Sequence, residues 1–336
     1  MTQAAIYGLA GTKISADEAA FFRDAAPTGY ILFRRNIETR EQLRRLTDAL
    51  RSLEGHDEVP ILIDQEGGRV ARMRPPEWQA FPSGEAFDRL YQLAPSSAIE
   101  AARVNARALG LMLNEVGVNI DCLPMLDVRQ PGASDIIGDR ALGSESMQVA
   151  ALGRSILDGL ASAGVLGVIK HIPGHGRALV DSHHELPHVD ASDDELAIDL
   201  EPFERLRDAA MGMTSHLLYH AWDSERPASQ SPIVIHDIVR QRIGFDGFLM
   251  SDDVGMEALA GDHGTRAAAC VAAGCDVALH CDGKMENMIS VAQVMPALSP
   301  EAEARLARAM AMRFTPDDEM DFAEAVAKRD ALLALV

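Results

Sequence analysis

The chain has 336 residues, of which 47% are hydrophobic and 24% are charged, a composition typical of a globular protein with one large core. Its formal net charge of −20 repels nucleic-acid phosphates and anionic lipid surfaces, so we expect neither nucleic acid nor a membrane as a partner. The net charge does not argue against an anionic small substrate, because a local cluster of Arg and Lys can override it.

Short apolar runs recur along the chain, and each is followed by a pattern typical of a helix. Eight such runs begin at Ala4, Gly29, Val59, Val118, Val165, Met211, Phe245 and Gly274. Continuous apolar runs of this kind are typical of parallel strands that helices cover on both faces. The alternation predicts an α/β fold, a single-domain (β/α)₈ TIM barrel spanning residues 1–336 without a second domain. The rival is a doubly wound open sheet, and the absence of G-x-G-x-x-G after the first run weakens its dinucleotide-binding form.

Helix start signals lie between the apolar runs. Residues 15–18, 39–42 and 192–195 each place Ser or Thr three positions before Glu or Gln, which predicts capping boxes. Ser299 precedes Pro300, as expected for an N-cap followed by proline at the first helical position.

The cysteines and the N-terminal segment bear on the cellular compartment. The four cysteines form no C-x-x-C pair, so a zinc ribbon is not supported. The first residues lack a basic stretch followed by a long apolar run, and no apolar stretch is long enough to span a membrane. We therefore expect a cytoplasmic protein.

Polar residues end five of the predicted strands. They are Asp64, Asp127, Lys170 with His171, His216, and Asp252 with Asp253. The C-terminal strand ends of a (β/α)₈ barrel carry its active site, and buried charge is costly unless it is paired. We therefore predict one shared polar pocket, although each residue taken alone could simply cap its strand.

Residues 170–190 hold five histidines and are the densest candidate segment. Asp181 and His183 are two residues apart, so in an extended loop their side chains can point the same way. A carboxylate beside an imidazole raises its pKa and makes it a useful general acid near neutral pH. Two other interpretations stay open: the pair only braces a loop, or the histidines bind a metal, although no H-E-x-x-H pattern is present.

Three further segments are candidates for chemistry or binding. Asp252, leaving an apolar run, is suited to act as a nucleophile, a base or a metal ligand. Asp64 precedes a Gly-Gly turn and Arg72 follows it. Together they could bind a sugar diol or a carboxylate, or form a structural salt bridge. Arg140 lies in a glycine-flanked loop and is a weak signal by itself.

Together these segments resemble glycoside hydrolase family 3, and within it the compact bacterial β-N-acetylglucosaminidases that recycle peptidoglycan. The similarity follows the motif order over nearly the whole chain. DQEGGRVAR is similar to the family's substrate-binding turn, KHIPGHG followed by DSH to its signature loop, and SDDVGM to its nucleophile segment. Ile172, Val254 with Gly255, and Ala141 with Leu142 depart from the usual pattern without removing a proposed catalytic group.

The resemblance implies a retaining exo-glycosidase that removes terminal N-acetylglucosamine from muropeptides and needs neither metal nor organic cofactor. It implies Asp252 as nucleophile, His183 as acid/base and Asp181 as the partner of His183. It implies that Asp64 binds sugar hydroxyls. The remaining residues of the implied N-acetylglucosamine subsite are Arg72, Arg140, Lys170 and His171.

Three alternatives remain at this point. A barrel metallohydrolase would use the histidines as ligands. A sugar-binding protein without activity would need no nucleophile. A β-glucosidase of the same family would share the residues named above and differ in its preferred sugar.

Overall fold

The fold is a closed barrel of parallel strands surrounded by helices. The computed structural model describes residues 1–182, 185–313, 315–316 and 320–336. Its strands are β1 (Gln3–Gly8), β2 (Pro27–Leu32), β3 (Ile61–Ile63), β4 (Ile120–Asp121), β5 (Leu166–Ile172), β6 (His188–Val189), β7 (Met211–Thr214), β8 (Leu218–Tyr219), β9 (Phe248–Asp253) and β10 (Val277–His280). Eight of these strands close the barrel in the order β1, β10, β9, β7, β5, β4, β3, β2, while β6 and β8 pair separately. The predicted (β/α)₈ barrel is confirmed, and every apolar run of the sequence contributes one barrel strand.

Helices follow most of the barrel strands. They are α1 (Ala16–Ala25), α2 (Arg40–Glu54), α3 (Gly84–Leu93), α4 (Pro95–Glu115), α5 (Ser146–Ser162), α6 (Asp193–Arg205), α7 (His263–Ala273), α8 (Met285–Ala292), α9 (Pro300–Ala311) and α10 (Phe322–Leu333), with a π-helical segment at Val234–Arg242. In the described part of the chain, no helix is both long enough and apolar enough to cross a membrane.

The predicted helix starts are mostly confirmed. Ser15 and Ser192 form full capping boxes at α1 and α6, and Ser299 caps α9 ahead of Pro300. Thr39 accepts a hydrogen bond from the Gln42 amide at α2, but the second half of the predicted box is wrong. The Gln42 side chain instead accepts from the Glu38 amide and donates to Thr12 and Asn36 carbonyls, so it holds the preceding loop rather than the cap.

Helices α4 and α5 pack closely because glycine faces the contact. A Cβ atom at Gly159 would lie 2.2 Å from the Arg103 carbonyl oxygen and 2.8 Å from the Ala106 Cβ. Both atoms belong to helix α4, so neither can move away without disturbing the packing of that helix.

Gly159→Ala is expected to destabilise the fold by about 1–3 kcal/mol, because the clash outweighs the roughly 1 kcal/mol that alanine gains in a helix interior. The free energy of unfolding in urea measures the effect. Gly11→Ala is the matched control, since a Cβ there meets no atom of the described residues within 4 Å. An unchanged or raised stability of Gly159→Ala would contradict this packing.

Candidate active site

A single pocket at the C-terminal ends of the barrel strands brings together residues that are far apart in sequence. Six of the eight predicted site residues line it: Asp64, Arg72, Arg140, Lys170, His171 and Asp252. Asp181 is half-buried in the loop after β5 and is not among the lining residues. His183 lies outside the described residues.

The floor of the pocket is a buried ammonium group between two carboxylates. Lys170 on β5 is 2% exposed, and its Nζ lies 3.0 Å from Asp64 Oδ1 and 2.7 Å from Glu66 Oε1. Burial alone would lower the pKa of Lys170, but Asp64 and Glu66 outweigh it and raise that pKa above its ordinary value. Lys170 is therefore a fixed positive charge beneath any ligand.

Two arginines complete this charge network. Arg140 makes a two-pronged contact with Glu66, with Nε and Nη2 at 2.9 and 2.7 Å from the two carboxylate oxygens. Arg72 Nη2 lies 3.0 Å from Asp64 Oδ2, and its guanidinium carbon lies 5.1 Å from the centre of the Phe33 ring. The carboxylates thus hold three cations at defined places around the pocket.

The same contacts keep the two carboxylates ionised. Burial by itself would raise the pKa of Asp64, but Lys170 and Arg72 lower it to about 2. Burial acts in the same direction on Glu66, and Arg140 and Lys170 hold its pKa well below the usual range. An ionised Asp64 at the pocket surface can only accept hydrogen bonds, which suits it to bind hydroxyl groups.

The turn that carries Asp64, Glu66 and Arg72 depends on its glycines. Gly67 and Gly68 have φ values of +104° and +55°, in the region that side chains avoid. The Gly67 and Val70 amides and carbonyls bond to each other at 3.1 and 3.2 Å, which closes the turn. The predicted tight turn is confirmed, and it returns the chain so that Arg72 meets Asp64.

His171 is held by a buried aspartate behind the pocket. Its Nδ1 lies 2.7 Å from Asp127 Oδ2, and the other carboxylate oxygen accepts from the amides of His171 and His175. Burial raises the pKa of Asp127, but His171 and the hydrogen bonds outweigh it and lower the pKa overall. An ionised Asp127 accepts a hydrogen bond from the Nδ1–H group, so the ring presents Nε2 away from Asp127.

The two aspartates that end β9 differ in their surroundings. Asp253 Oδ1 accepts hydrogen bonds from the amides of Gly255 and Cys281, at 2.9 and 3.1 Å. Burial raises the pKa of Asp253 to about 6, with a further contribution from the neighbouring charge of Asp252. Asp252 Oδ1 accepts from the Asp253 amide at 2.8 Å, and its side chain is half-buried at the pocket wall.

The prediction that five strand ends share one pocket is partly wrong. Asp127 and His216 are fully buried and are not among the lining residues. His216 Nε2 lies 3.0 Å from the Asp253 carbonyl oxygen, and its Nδ1 lies 2.7 Å from Ser229 Oγ. Both residues support pocket residues from behind, because at the end of a strand a shift of one position turns a side chain away from the barrel mouth.

A hydrogen bond joins the loop after β5 to the loop after β9. The Ala258 amide donates to the Ser182 carbonyl oxygen at 3.3 Å. Ser182 is buried, and its hydroxyl lies 3.2 Å from His175 Nε2. The segment that contains Asp181 and the segment that follows Asp252 are therefore in direct contact.

Sequence reasoning missed Glu66 and Phe33. Glu66 joins Lys170 to Arg140, and Phe33 lies at the end of β2 under the arginine side chains. The only signal for Glu66 was its place two residues after Asp64, and Phe33 was included in the second apolar run as an ordinary strand residue.

The histidines of residues 170–190 form no metal-like cluster within the described ranges, since His171 contacts Asp127, His175 contacts Ser182 and His188 contacts His220. Three converging ligand atoms occur elsewhere in the described structure, at His263, His280 and Asp282.

A (β/α)₈ barrel with carboxylates at its C-terminal end is an arrangement that glycoside hydrolases use. The chain belongs to glycosyl hydrolase family 3, since residues 2–312 match the model of that family's N-terminal domain. It is 37% identical over 339 residues to the beta-hexosaminidase of Methylococcus capsulatus, covering 98% of this chain and 94% of that protein.

Solved structures agree with this assignment. NagZ from Neisseria gonorrhoeae superimposes with a TM-score of 0.89 at 30% identity, covering 99% of this chain and 98% of that one. NagZ from the same organism in complex with N-trifluoroacetyl-D-glucosamine superimposes with a TM-score of 0.85 at 29% identity, covering 99% and 97%.

Asp64→Asn is expected to make the free energy of unfolding less dependent on pH in the acid range. The folded-state pKa of about 2 lies below the unfolded value of about 3.9, so ionised Asp64 stabilises the protein above about pH 4. That contribution, about 2–3 kcal/mol, is lost as the pH falls towards 2. Urea unfolding between pH 7 and pH 2.5 measures it.

Asp64→Asn should lose less stability than the wild type across this pH window, although it starts lower at pH 7 because Lys170 loses a counter-charge. Asp48→Asn, at an exposed position of α2, is the control. Parallel pH curves for Asp64→Asn and the wild type would disprove the depressed pKa.

Proposed function

We propose that this glycoside hydrolase is a retaining β-N-acetylhexosaminidase that releases terminal, non-reducing N-acetylglucosamine from peptidoglycan fragments. The observation that carries the proposal is the shared pocket, which Asp252 lines together with Asp64, Glu66 and Lys170. The names of the relatives and the sugar analogue in one neighbour support the choice of sugar.

In the proposed reaction, the Asp252 carboxylate attacks the anomeric carbon and forms a covalent glycosyl-enzyme. His183 protonates the leaving oxygen, and Asp181 orients the imidazole and favours its charged form. Water then attacks the same carbon, His183 accepts its proton, and the sugar leaves with its original configuration. Protein groups supply every proton and the nucleophile, so the scheme needs no cofactor.

The contact between the loops after β5 and β9 supports the proposal that His183 and Asp252 act on the same substrate. Ser182 directly precedes His183, and its carbonyl oxygen accepts from Ala258, six residues after Asp252. The chain at residue 182 is thus held beside the segment that follows the proposed nucleophile.

The pocket floor accounts for the proposed binding of the sugar. Ionised Asp64 accepts hydrogen bonds from two neighbouring hydroxyls, while Lys170 and Arg72 keep it ionised and fixed in place. Arg140, held by Glu66, and His171, held by Asp127, are available as donors to the other oxygens of the sugar. Because these groups are fixed before the ligand arrives, little ordering is needed on binding.

We place the reaction in the cytoplasm. The four cysteines are free and buried, as is usual for proteins of a reducing compartment.

Asp252→Ala is expected to lower kcat on an aryl β-N-acetylglucosaminide by about 10⁴-fold or more, because the covalent step is lost. Added azide should restore turnover and give the α-configured glycosyl azide, since it attacks from the face that the carboxylate occupied. Product configuration by NMR is the measurement, and Asp48→Ala on the surface of α2 is the control. Near-normal activity of Asp252→Ala, or a β-configured azide product, would exclude Asp252 as nucleophile.

His183→Ala is expected to slow hydrolysis far more for a poor leaving group than for an activated phenol, by about 10²-fold or more, because only the poor one needs a proton. The comparison of kcat/KM for a dinitrophenyl glycoside and an unactivated glycoside measures this. His236→Ala, at an exposed position of the π-helical segment, controls for the loss of an imidazole. Equal losses on both substrates would argue against proton transfer by His183.

A further inference from the structure

A group of three metal-ligating side chains lies outside the residues assigned to the reaction. His280 is the last residue of β10 and is fully buried, His263 is the first residue of α7, and Asp282 follows β10 by two residues. One ligand atom of each residue lies within 4.8 Å of the others. Nothing in the proposed glycosidase reaction uses these residues.

The distances in this group are close to those between ligands of one zinc ion. His280 Nε2 lies 3.0 Å from His263 Nδ1 and 3.4 Å from Asp282 Oδ1. Ligand atoms that lie about 2.0–2.1 Å from a tetrahedral zinc ion are about 3.3–3.4 Å apart. His263 and Asp282 are only partly buried, so their side chains have room to adjust around an ion.

The surroundings of the three side chains favour a bound cation. Asp282 is held on both oxygens, by the Lys284 amide at 2.8 Å and by Asn287 Nδ2 at 2.5 Å, as carboxylate ligands commonly are. The buried Nδ1 of His280 has no hydrogen-bond partner among the described residues, so no neighbouring donor there forces the proton onto Nε2.

One positively charged side chain whose charge acts on Asp282 is bonded to the backbone. Arg35 donates hydrogen bonds to the carbonyl oxygens of Leu9 and Cys281, which turns its guanidinium towards the backbone. The Asp282 carboxylate therefore remains available to an ion.

We propose that His263, His280 and Asp282 bind a zinc ion, with a fourth position open to water. Two imidazoles and one carboxylate form a ligand set that zinc and related transition metals accept, whereas magnesium and calcium prefer oxygen ligands. The ion ties the start of α7 to the end of β10. Cys281, between two of the ligands, lines the pocket and donates its amide hydrogen bond to Asp253, so the ion would also stiffen the pocket wall.

The test is a zinc titration of chelator-dialysed enzyme against a chromophoric zinc indicator, together with melting temperatures. We expect one zinc ion per chain, a higher Tm with zinc, and no competition from magnesium or calcium. His263→Ala and Asp282→Asn should each weaken binding by at least about tenfold and remove the rise in Tm. Both positions are half-exposed, so the variants should fold, and their metal-free Tm and circular dichroism check this.

Two further variants make the outcome decisive. His236→Ala removes an exposed histidine elsewhere and should bind zinc as the wild type does. Asp181→Asn tests the loop after β5 as the source of any zinc binding and should also leave the titration unchanged. The proposal is overturned if the wild type binds no zinc, if binding survives both His263→Ala and Asp282→Asn, or if Asp181→Asn is the variant that loses it.

Discussion

The pocket depends on one buried positive charge. Lys170 lies on a barrel strand with almost no exposure, where an unpaired ammonium would cost several kcal/mol. Asp64 and Glu66 neutralise it, and each of them in turn holds one arginine, Arg72 or Arg140. Removing any member takes a counter-charge from another charge of the network, so the five residues stabilise one another. A ligand therefore meets charges whose positions the fold has already set.

The barrel makes this network possible, because strand ends that are distant in sequence converge at one rim. Asp64 and Lys170 are 106 residues apart and lie 3.0 Å from each other. A second layer behind the rim holds the first one in place. Asp127 fixes His171, while His216 supports the backbone of Asp253. The backbone next to the proposed nucleophile Asp252 is thus held by His216, which does not line the pocket.

The barrel could be predicted because each strand is a continuous apolar run, which reflects burial on both faces. Asp64, Lys170 and Asp252 could be predicted as pocket residues because they end such runs. Glu66 could not, since its partner Arg140 is 74 residues away and no periodicity links them. A strand-end side chain points into the pocket or behind it depending on its exact position along the strand. A shift of one residue reverses the direction, and the hydrophobic pattern does not define the strand end that accurately. The cluster at His263 and His280 was missed for a related reason: 17 residues separate them, and only the packing of α7 against β10 brings them together.

The hydrogen bond from Ala258 to Ser182 forms only while the loop after β5 lies beside the loop after β9. The donor belongs to the loop after β9, and the acceptor directly precedes the proposed acid/base. Any departure of the loop after β5 would leave the Ala258 amide without its acceptor, and its proton would exchange with solvent more rapidly. The exchange rate of a single backbone amide thereby reports how often the two halves of the proposed catalytic machinery separate.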